Sequence, residues 1–251
     1  MQVIVENLLT HYEQSGDSGQ QMLLLHGWAD KLETYDLLVS ELGTDYRITR
    51  LDLPGFGSTE APKQSWGVSE YADFVGSFLD KMSLKPDVVI GHSNGGAVAI
   101  VAVANNVIRP KHLVLLASAG IRNRQTMQKF IWKAVAKLGK VLTFWLPKKH
   151  KEALQKKLYG TIGSDMLVAP HLRETFKKTV AEDITSHAEK LDVPTLLVYG
   201  DQDKATPVDS VGELLHQAIA GSVLEVVPGA DHFVHQQKSE QVANLIQEFI
   251  K

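Results

Sequence analysis

The sequence predicts an α/β fold with a doubly wound, mostly parallel sheet that is interrupted by an all-helical insertion. Strands that are apolar along their whole length, such as 22–25 and 88–90, alternate with segments of helical spacing such as 69–81. Parallel strands that are covered by helices on both faces have this composition. Between residues 120 and 191 no strand pattern occurs, and apolar residues recur at helical spacing.

The predicted elements follow one another in a regular order. Two short strands, which we expect to pair in antiparallel fashion, precede the first apolar strand. The predicted strands are Gln2–Glu6, Leu9–Gln14, Met22–Leu25, Tyr46–Leu51, Val88–Ile90, His112–Leu116, Val193–Tyr199 and Val223–Val227. The predicted core helices are Thr34–Leu42, Ser69–Lys81, Ala97–Asn106, Asp209–Ala220 and Ser239–Ile250.

These patterns predict two structural parts. Residues 1–120 and 191–251 are expected to form the α/β core, and residues 121–190 a helical cap inserted into it. Residues 121–160 carry eleven lysines and arginines but a single acid, Glu152. One interpretation is a solvated lysine face on amphipathic helices. The other is that this basic cap attracts anionic substrates or lipid surfaces toward a pocket beneath it.

Composition excludes several classes of function. The chain contains no cysteine, which excludes disulfides, thiolate metal sites and a cysteine nucleophile. Its formal charge of −3 argues against nucleic acid as a partner. Residues 1–6 lack the basic start and apolar run of a signal peptide, and no stretch approaches the ~18 apolar residues of a membrane span. We therefore expect a cytoplasmic protein without stable membrane insertion.

The segment Gly91-His92-Ser93-Asn94-Gly95 lies between a predicted strand and a predicted helix and has the pattern G-x-S-x-G. This pattern is typical of a nucleophile elbow, a turn so tight that side chains at both glycines would collide with neighbouring backbone. The turn holds the serine in a strained conformation with its hydroxyl exposed beyond the sheet. Ser93 is therefore the candidate nucleophile.

A serine nucleophile requires a base that takes its proton and an acid that orients the base. On a strand-turn-helix elbow these partners follow in the order serine, acid, histidine. Asp203 follows one apolar strand, in Gly200-Asp201-Gln202-Asp203, and His232 follows the next strand. Order, spacing and strand context predict a triad of Ser93, Asp203 and His232.

Five stretches together resemble the α/β-hydrolase fold family, whose core is an eight-stranded, mostly parallel sheet with an inserted cap. They are His26-Gly27-Trp28, Asp52-Leu53-Pro54-Gly55-Phe56-Gly57, Gly91 to Gly96, Gly200 to Asp203, and Gly229-Ala230-Asp231-His232-Phe233. The resemblance covers essentially the whole chain. It implies Ser93 as nucleophile, His232 as base and then acid, and Asp203 as its orienter. It also implies an oxyanion hole formed by the backbone amides of Trp28 and Asn94.

Other residues compete for these roles. Asp201 is a rival acid, but the family spacing Gly-x-x-Asp favours Asp203. We interpret Asp231 as solvated, His92 as packed within the elbow, and His235 as surface or pocket wall. His26 is expected to tie down the oxyanion loop beside the pocket. The histidines show no metal-ligand spacing, so no metal and no cofactor are assigned.

We therefore expect a serine hydrolase, a carboxylesterase acting on a small or medium acyl ester, either as a monomer or as a homodimer. In the cap, an acyl site lined by aromatic side chains is a hypothesis for Phe130, Trp132, Phe144 and Trp145. Hydrolysis of a carbon–carbon bond, a lactone or a thioester would use the same triad. A ligand-sensing signalling protein that retains the triad is the alternative from another class.

Overall fold

The computed structural model describes residues 1–121 and 172–251. In these ranges eight strands form one sheet in the order β1-β2-β4-β3-β5-β6-β7-β8. The strands are β1 Gln2–Val5, β2 Leu8–Ser15, β3 Gln21–Leu25, β4 Arg47–Leu51, β5 Val88–His92, β6 His112–Leu116, β7 Thr195–Gly200 and β8 Val223–Val227. The predicted α/β fold with an eight-stranded, mostly parallel sheet is confirmed.

One strand of the sheet, β2, runs in the direction opposite to the other seven. β1 pairs with β2, and β2 with β4, in antiparallel fashion, whereas every pair from β4 to β8 is parallel. The carboxyl ends of β3, β5, β6, β7 and β8 therefore meet at one edge of the sheet. In open parallel sheets this edge is where ligands bind, and the loops that carry the predicted site residues all begin there.

Helices cover the sheet as the apolar spacing predicts. They are α1 Asp36–Leu42, α2 Val68–Met82, α3 Asn94–Ala104, α4 Arg173–Ala181, α5 Thr185–Ala188, α6 Glu213–Ala218, α7 Val234–Gln237 and α8 Ser239–Phe249. A 3-10 turn at Leu32–Tyr35 precedes α1, and a π-helical turn at Val208–Gly212 precedes α6. The predicted helix Asp209–Ala220 is therefore two segments, and the one predicted at Ala97 begins three residues earlier, directly after Ser93.

Two apolar clusters lie on the two faces of the sheet. Val89 of β5 points into the cluster that contains α2 and α3, and its neighbours Val88 and Ile90 point into the cluster that contains α1 and α8. All three side chains are 0% exposed. Successive strand residues face opposite sides, so a strand buried on both faces must be apolar at every position, as the sequence shows.

The predicted cap is described only in its last part. Within α5 and the turn before it, Ile184 and Ala188 are buried against the core, and the amide of Ile184 donates to the carbonyl of Gly120 at 2.9 Å. The basic segment and its aromatic residues Phe130, Trp132, Phe144 and Trp145 lie outside the described residues. The division into core and cap therefore stays a prediction. Among the helices described, none combines the length and apolar character that crossing a bilayer requires.

Candidate active site

Ser93 occupies a single-residue turn between β5 and α3. Its φ and ψ are 51° and −116°, in a region that residues with a side chain rarely adopt. The turn is possible because its neighbours are glycines. A Cβ at Gly91 would lie 2.6 Å from the carbonyl oxygen of Gly95, and a Cβ at Gly95 would lie 2.2 Å from that of Leu25. The residues predicted to form an elbow do form this turn.

The structure brings the three predicted triad side chains into one hydrogen-bonded chain. The Oγ of Ser93 lies 3.0 Å from the Nε2 of His232, and the Nδ1 of His232 lies 2.8 Å from the Oδ2 of Asp203. Asp203 follows β7 and His232 follows β8, so each side chain extends from the carboxyl end of a parallel strand. This arrangement lets the imidazole accept a proton from Ser93 while the carboxylate fixes its tautomer.

Asp203 is buried but well supplied with donors. Its Oδ1 accepts from the amides of Ala205 and Thr206 at 2.7 and 2.9 Å, and its Oδ2 accepts from the Thr206 hydroxyl at 2.7 Å. Burial alone raises the pKa of Asp203, but the hydrogen bonds from His232 and Thr206 outweigh it, and the net pKa lies below the ordinary value. Asp203 is therefore held as a carboxylate.

Thr206 is a site residue that the sequence reading missed. Its Oγ1 lies near Asp203, 3.0 Å from the carbonyl oxygen of Ala117 and 3.2 Å from the Nδ1 of His232. The available signal was its position three residues after Asp203, because an aspartate side chain in a loop commonly accepts from backbone amides a few residues later. Thr206 connects the acid loop to the end of β6.

The rival acids are engaged elsewhere. Asp201 is exposed, and its Oδ1 accepts from the amide of Gly229 at 2.7 Å, which joins the two loops. Asp231 is exposed and accepts from the amide of Phe233 at 2.9 Å. Of the three aspartates, only Asp203 forms a hydrogen bond with His232 among the described contacts.

The loop after β3 lies directly against the nucleophile. Leu25 is paired with Gly91 of β5, and a Cβ on Gly27 would lie 3.2 Å from the Cβ of Ser93. This places the backbone of Trp28 close to the serine. Asn94 is the first residue of α3, so the helix itself offers its amide no partner. The oxyanion hole assigned to the amides of Trp28 and Asn94 stays a prediction.

His26 braces this loop. The amide of Leu53 donates to Nε2 at 2.9 Å, so the proton is on Nδ1, which donates to the carbonyl of Gly27 at 2.7 Å. The ring is 0% exposed, and burial lowers its pKa. With both ring nitrogens bonded to backbone, His26 fixes the conformation of this loop; that it also lines the substrate pocket stays a prediction.

Asp52 anchors the glycine-rich loop that follows β4. Its buried carboxylate accepts from the amides of Leu32 and Ser58, each at 2.8 Å, and lies 2.9 Å from the Nδ1 of His11. Gly57 must be glycine because any Cβ there would overlap that carboxylate. The loop is therefore structural and connects the segment after Trp28 to the body of the sheet.

An aromatic group flanks the candidate oxyanion loop. The Trp28 ring lies 4.8 Å from that of Phe56 and 5.1 Å from that of Phe176 on α4. The sequence reading placed aromatic pocket residues at Phe130, Trp132, Phe144 and Trp145, outside the described residues, and did not single out Phe176.

Over 1–121 and 172–251, no set of three or more His, Cys, Asp or Glu side chains is arranged to hold a metal ion.

Comparisons with known proteins agree with this architecture. Residues 22–245 match the model of the alpha/beta hydrolase family. The pimeloyl-[acyl-carrier protein] methyl ester esterase of Neisseria meningitidis serogroup C is 29% identical over 252 residues, covering 94% of this chain and 95% of that protein. The uncharacterized hydrolase YugF of Bacillus subtilis is 24% identical over 266 residues, covering 98% and 96%.

A solved structure extends the likeness to the fold. The enol-lactonase of Burkholderia xenovorans LB400 superposes with a TM-score of 0.75 at 21% identity, covering 100% of this chain and 99% of that one. The family match spans the elbow and the two loops that carry Asp203 and His232. This chain is a member of the alpha/beta hydrolase family.

Proposed function

We propose that this protein is a serine hydrolase that cleaves a small or medium acyl ester through an acyl-enzyme on Ser93. The observation that carries the proposal is the continuous contact from Ser93 through His232 to Asp203 on a strained elbow. A strained serine next to a base that is itself oriented by a carboxylate is the arrangement that nucleophilic catalysis needs.

In the first half-reaction, Ser93 Oγ attacks the ester carbonyl carbon while its proton passes to Nε2 of His232. The resulting imidazolium is stabilised by Asp203, which stays ionised. When the carbon–oxygen bond breaks, His232 returns that proton to the leaving alcohol, and the acyl group remains on Ser93. In the second half-reaction, His232 takes a proton from water, hydroxide attacks the acyl carbon, and the acid leaves as Ser93 regains its proton.

Both half-reactions pass through a tetrahedral oxyanion. The amides of Trp28 and Asn94 are the donors that we assign to it, and the amino end of α3 adds a favourable dipole. Loss of one such donor typically lowers turnover by about 10²–10³-fold. Trp28 and Phe176 would contact the part of the substrate that enters beside the oxyanion loop.

The relatives favour an ester as the bond that this protein cleaves. The Neisseria meningitidis relatives at 28–29% identity are esterases of a methyl ester on an acyl-carrier-bound acid. An ester of a medium-length acid with a small alcohol is therefore the substrate class that we favour. The neighbouring lactonase supports the fold only, because its identity to this chain is 21%.

The proposal is tested with p-nitrophenyl esters of increasing acyl length. We expect turnover by the wild type, with Ser93→Ala lowering kcat by more than about 10³-fold. Ser77→Ala is the matched control. Ser77 lies on α2, and its hydroxyl donates to the carboxylate of Glu6 in an exposed hydrogen bond. A fluorophosphonate should label the wild type and not S93A.

Three other outcomes would contradict the proposal. Turnover retained in S93A would rule out Ser93 as nucleophile. Cleavage of lactones, thioesters or diketones but of no ester would reassign the bond. Absence of turnover on every substrate, with a small ligand still raising the Tm, would favour a sensor.

A further inference from the structure

His92 lies between the candidate nucleophile and the candidate base. It is the residue immediately before Ser93, the last residue of β5, and is 1% exposed. Its Nε2 lies 2.9 Å from the main-chain carbonyl oxygen of His232. A single side chain therefore connects the elbow to the backbone of the residue that receives the serine proton. The sequence reading treated this position only as packing.

The contact fixes the protonation of the His92 ring. A carbonyl oxygen only accepts, so Nε2 must carry the proton and donate. Nδ1 is then an unprotonated acceptor, and it is buried with no hydrogen-bond partner among the described residues. A Cβ on Gly27 would lie 2.9 Å from this nitrogen, which shows how closely the oxyanion loop covers the ring. Within residues 1–121 and 172–251, the one hydrogen bond of the ring therefore goes to the carbonyl of His232.

The rings around His92 hold it in place. Its centroid lies 4.8 Å from that of His232, 5.4 Å from that of Phe233 and 4.5 Å from that of His235. His235 is in turn fixed by Thr34, whose Oγ1 lies 3.1 Å from its Nε2. Burial, reinforced by the other histidines, keeps the pKa of His92 well below its ordinary value. The ring therefore stays neutral beside His232.

We propose that His92 is a positioning residue for catalysis: the bond from its Nε2–H to the His232 carbonyl sets the distance between Ser93 and the His232 ring. This inference rests on the proposed role of His232 as base. His232 follows β8 on a loop, and His92 ties that loop directly to the neighbour of the nucleophile. Without the bond, the ring is aligned only through its own side-chain contacts, and small misplacements of a reacting group are costly.

Three substitutions separate positioning from packing. His92→Gln keeps an amide donor near the position of Nε2, His92→Asn keeps an amide that is too short to reach the carbonyl, and His92→Leu fills the space without a donor. The control is His112→Leu at the opposite end of the neighbouring strand β6, which also removes a buried Nδ1 that has no hydrogen-bond partner in the described part of the chain. Folding of each variant is checked by its Tm.

We expect kcat on a p-nitrophenyl ester to fall about 10–100-fold in H92L and H92N, with KM nearly unchanged. In H92Q, kcat should remain within a few-fold of the wild type, and H112L should match the wild type. Equal activity of H92L and wild type would overturn the proposal. An equal loss in H92Q, H92N and H92L would also overturn it, because packing alone would then explain the position. If H92L fails to fold, the comparison of H92Q with H92N still decides.

A second readout does not depend on turnover. The proton between Nδ1 of His232 and Asp203 lies in a 2.8 Å hydrogen bond to a carboxylate and should give a resolved proton NMR signal far downfield of the amides. We expect this signal in the wild type, in H92Q and in H112L, and its broadening or loss in H92L and H92N. An unchanged signal in every variant would overturn the positioning role. If the signals of all variants behave as expected but the wild type hydrolyses nothing, the proposed function fails, although His92 still positions the His232 ring.

Discussion

At the scale of single residues, the candidate site depends on donors that surround a buried charge. Asp203 would be costly to bury as a carboxylate without the hydrogen bonds from His232, Thr206 and Ala205. The triad residues were predictable because their order and strand context are visible in the sequence. Thr206 was not, because a threonine near an aspartate is common in loops and only the fold shows that its hydroxyl also reaches the end of β6.

Thr206→Val tests this support. The substitution keeps the shape of the side chain but removes a hydrogen bond to a charged group, a change of about 1.5–3 kcal/mol. We expect kcat/KM to fall about tenfold or more, since 1.4 kcal/mol corresponds to a factor of ten. The pKa of Asp203 should rise, so activity should be lost at a higher pH on the acid side. Thr206→Ser should restore most of both, and a pH profile of T206V identical to that of the wild type would contradict the assignment.

At the scale of elements, the elbow determines how closely the sheet and the first turn of α3 approach each other. The role of its glycines was predictable from the sequence, because G-x-S-x-G between a strand and a helix is typical of a nucleophile elbow. The hydrogen bond from His92 to the His232 loop was not predictable, since a contact across 140 positions leaves no periodic signal in one sequence. The sequence also predicted helix starts imprecisely. The helix predicted at Ala97 begins at Asn94, because the turn before it consists of one residue.

Gly95→Ala tests the packing at the elbow. The new Cβ would lie 2.2 Å from the carbonyl oxygen of Leu25, and rigid backbone on both sides leaves little room for relaxation. We expect a loss of about 3 kcal/mol or more in the free energy of unfolding by urea, or failure to fold. Gly43→Ala is the control: its φ of +72° imposes strain, but its Cβ meets nothing within 4 Å. A smaller loss in G95A than in G43A would contradict this reading.

At the scale of the whole molecule, the sheet edge gathers several buried histidines that must stay neutral. Burial lowers the pKa of His26 and, together with neighbouring histidines, that of His92. Burial and the nearby His232 lower the pKa of His235 to about 3. The sequence showed these histidines but not their environment, because burial depends on how β3, β5 and the His232 loop come together.

These depressed values predict a pH-dependent stability. An unfolded histidine titrates near 6.5, whereas His235 in the folded chain titrates near 3. Between these values the unfolded state binds more protons, so the free energy of unfolding falls as pH decreases, by about 1.4 kcal/mol per unit for each such histidine. We expect urea unfolding at pH 7, 6 and 5 to show this loss in the wild type. His235→Gln should reduce the slope below pH 6 by about one proton. Equal slopes in H235Q and wild type would mean that His235 is not held neutral by the fold.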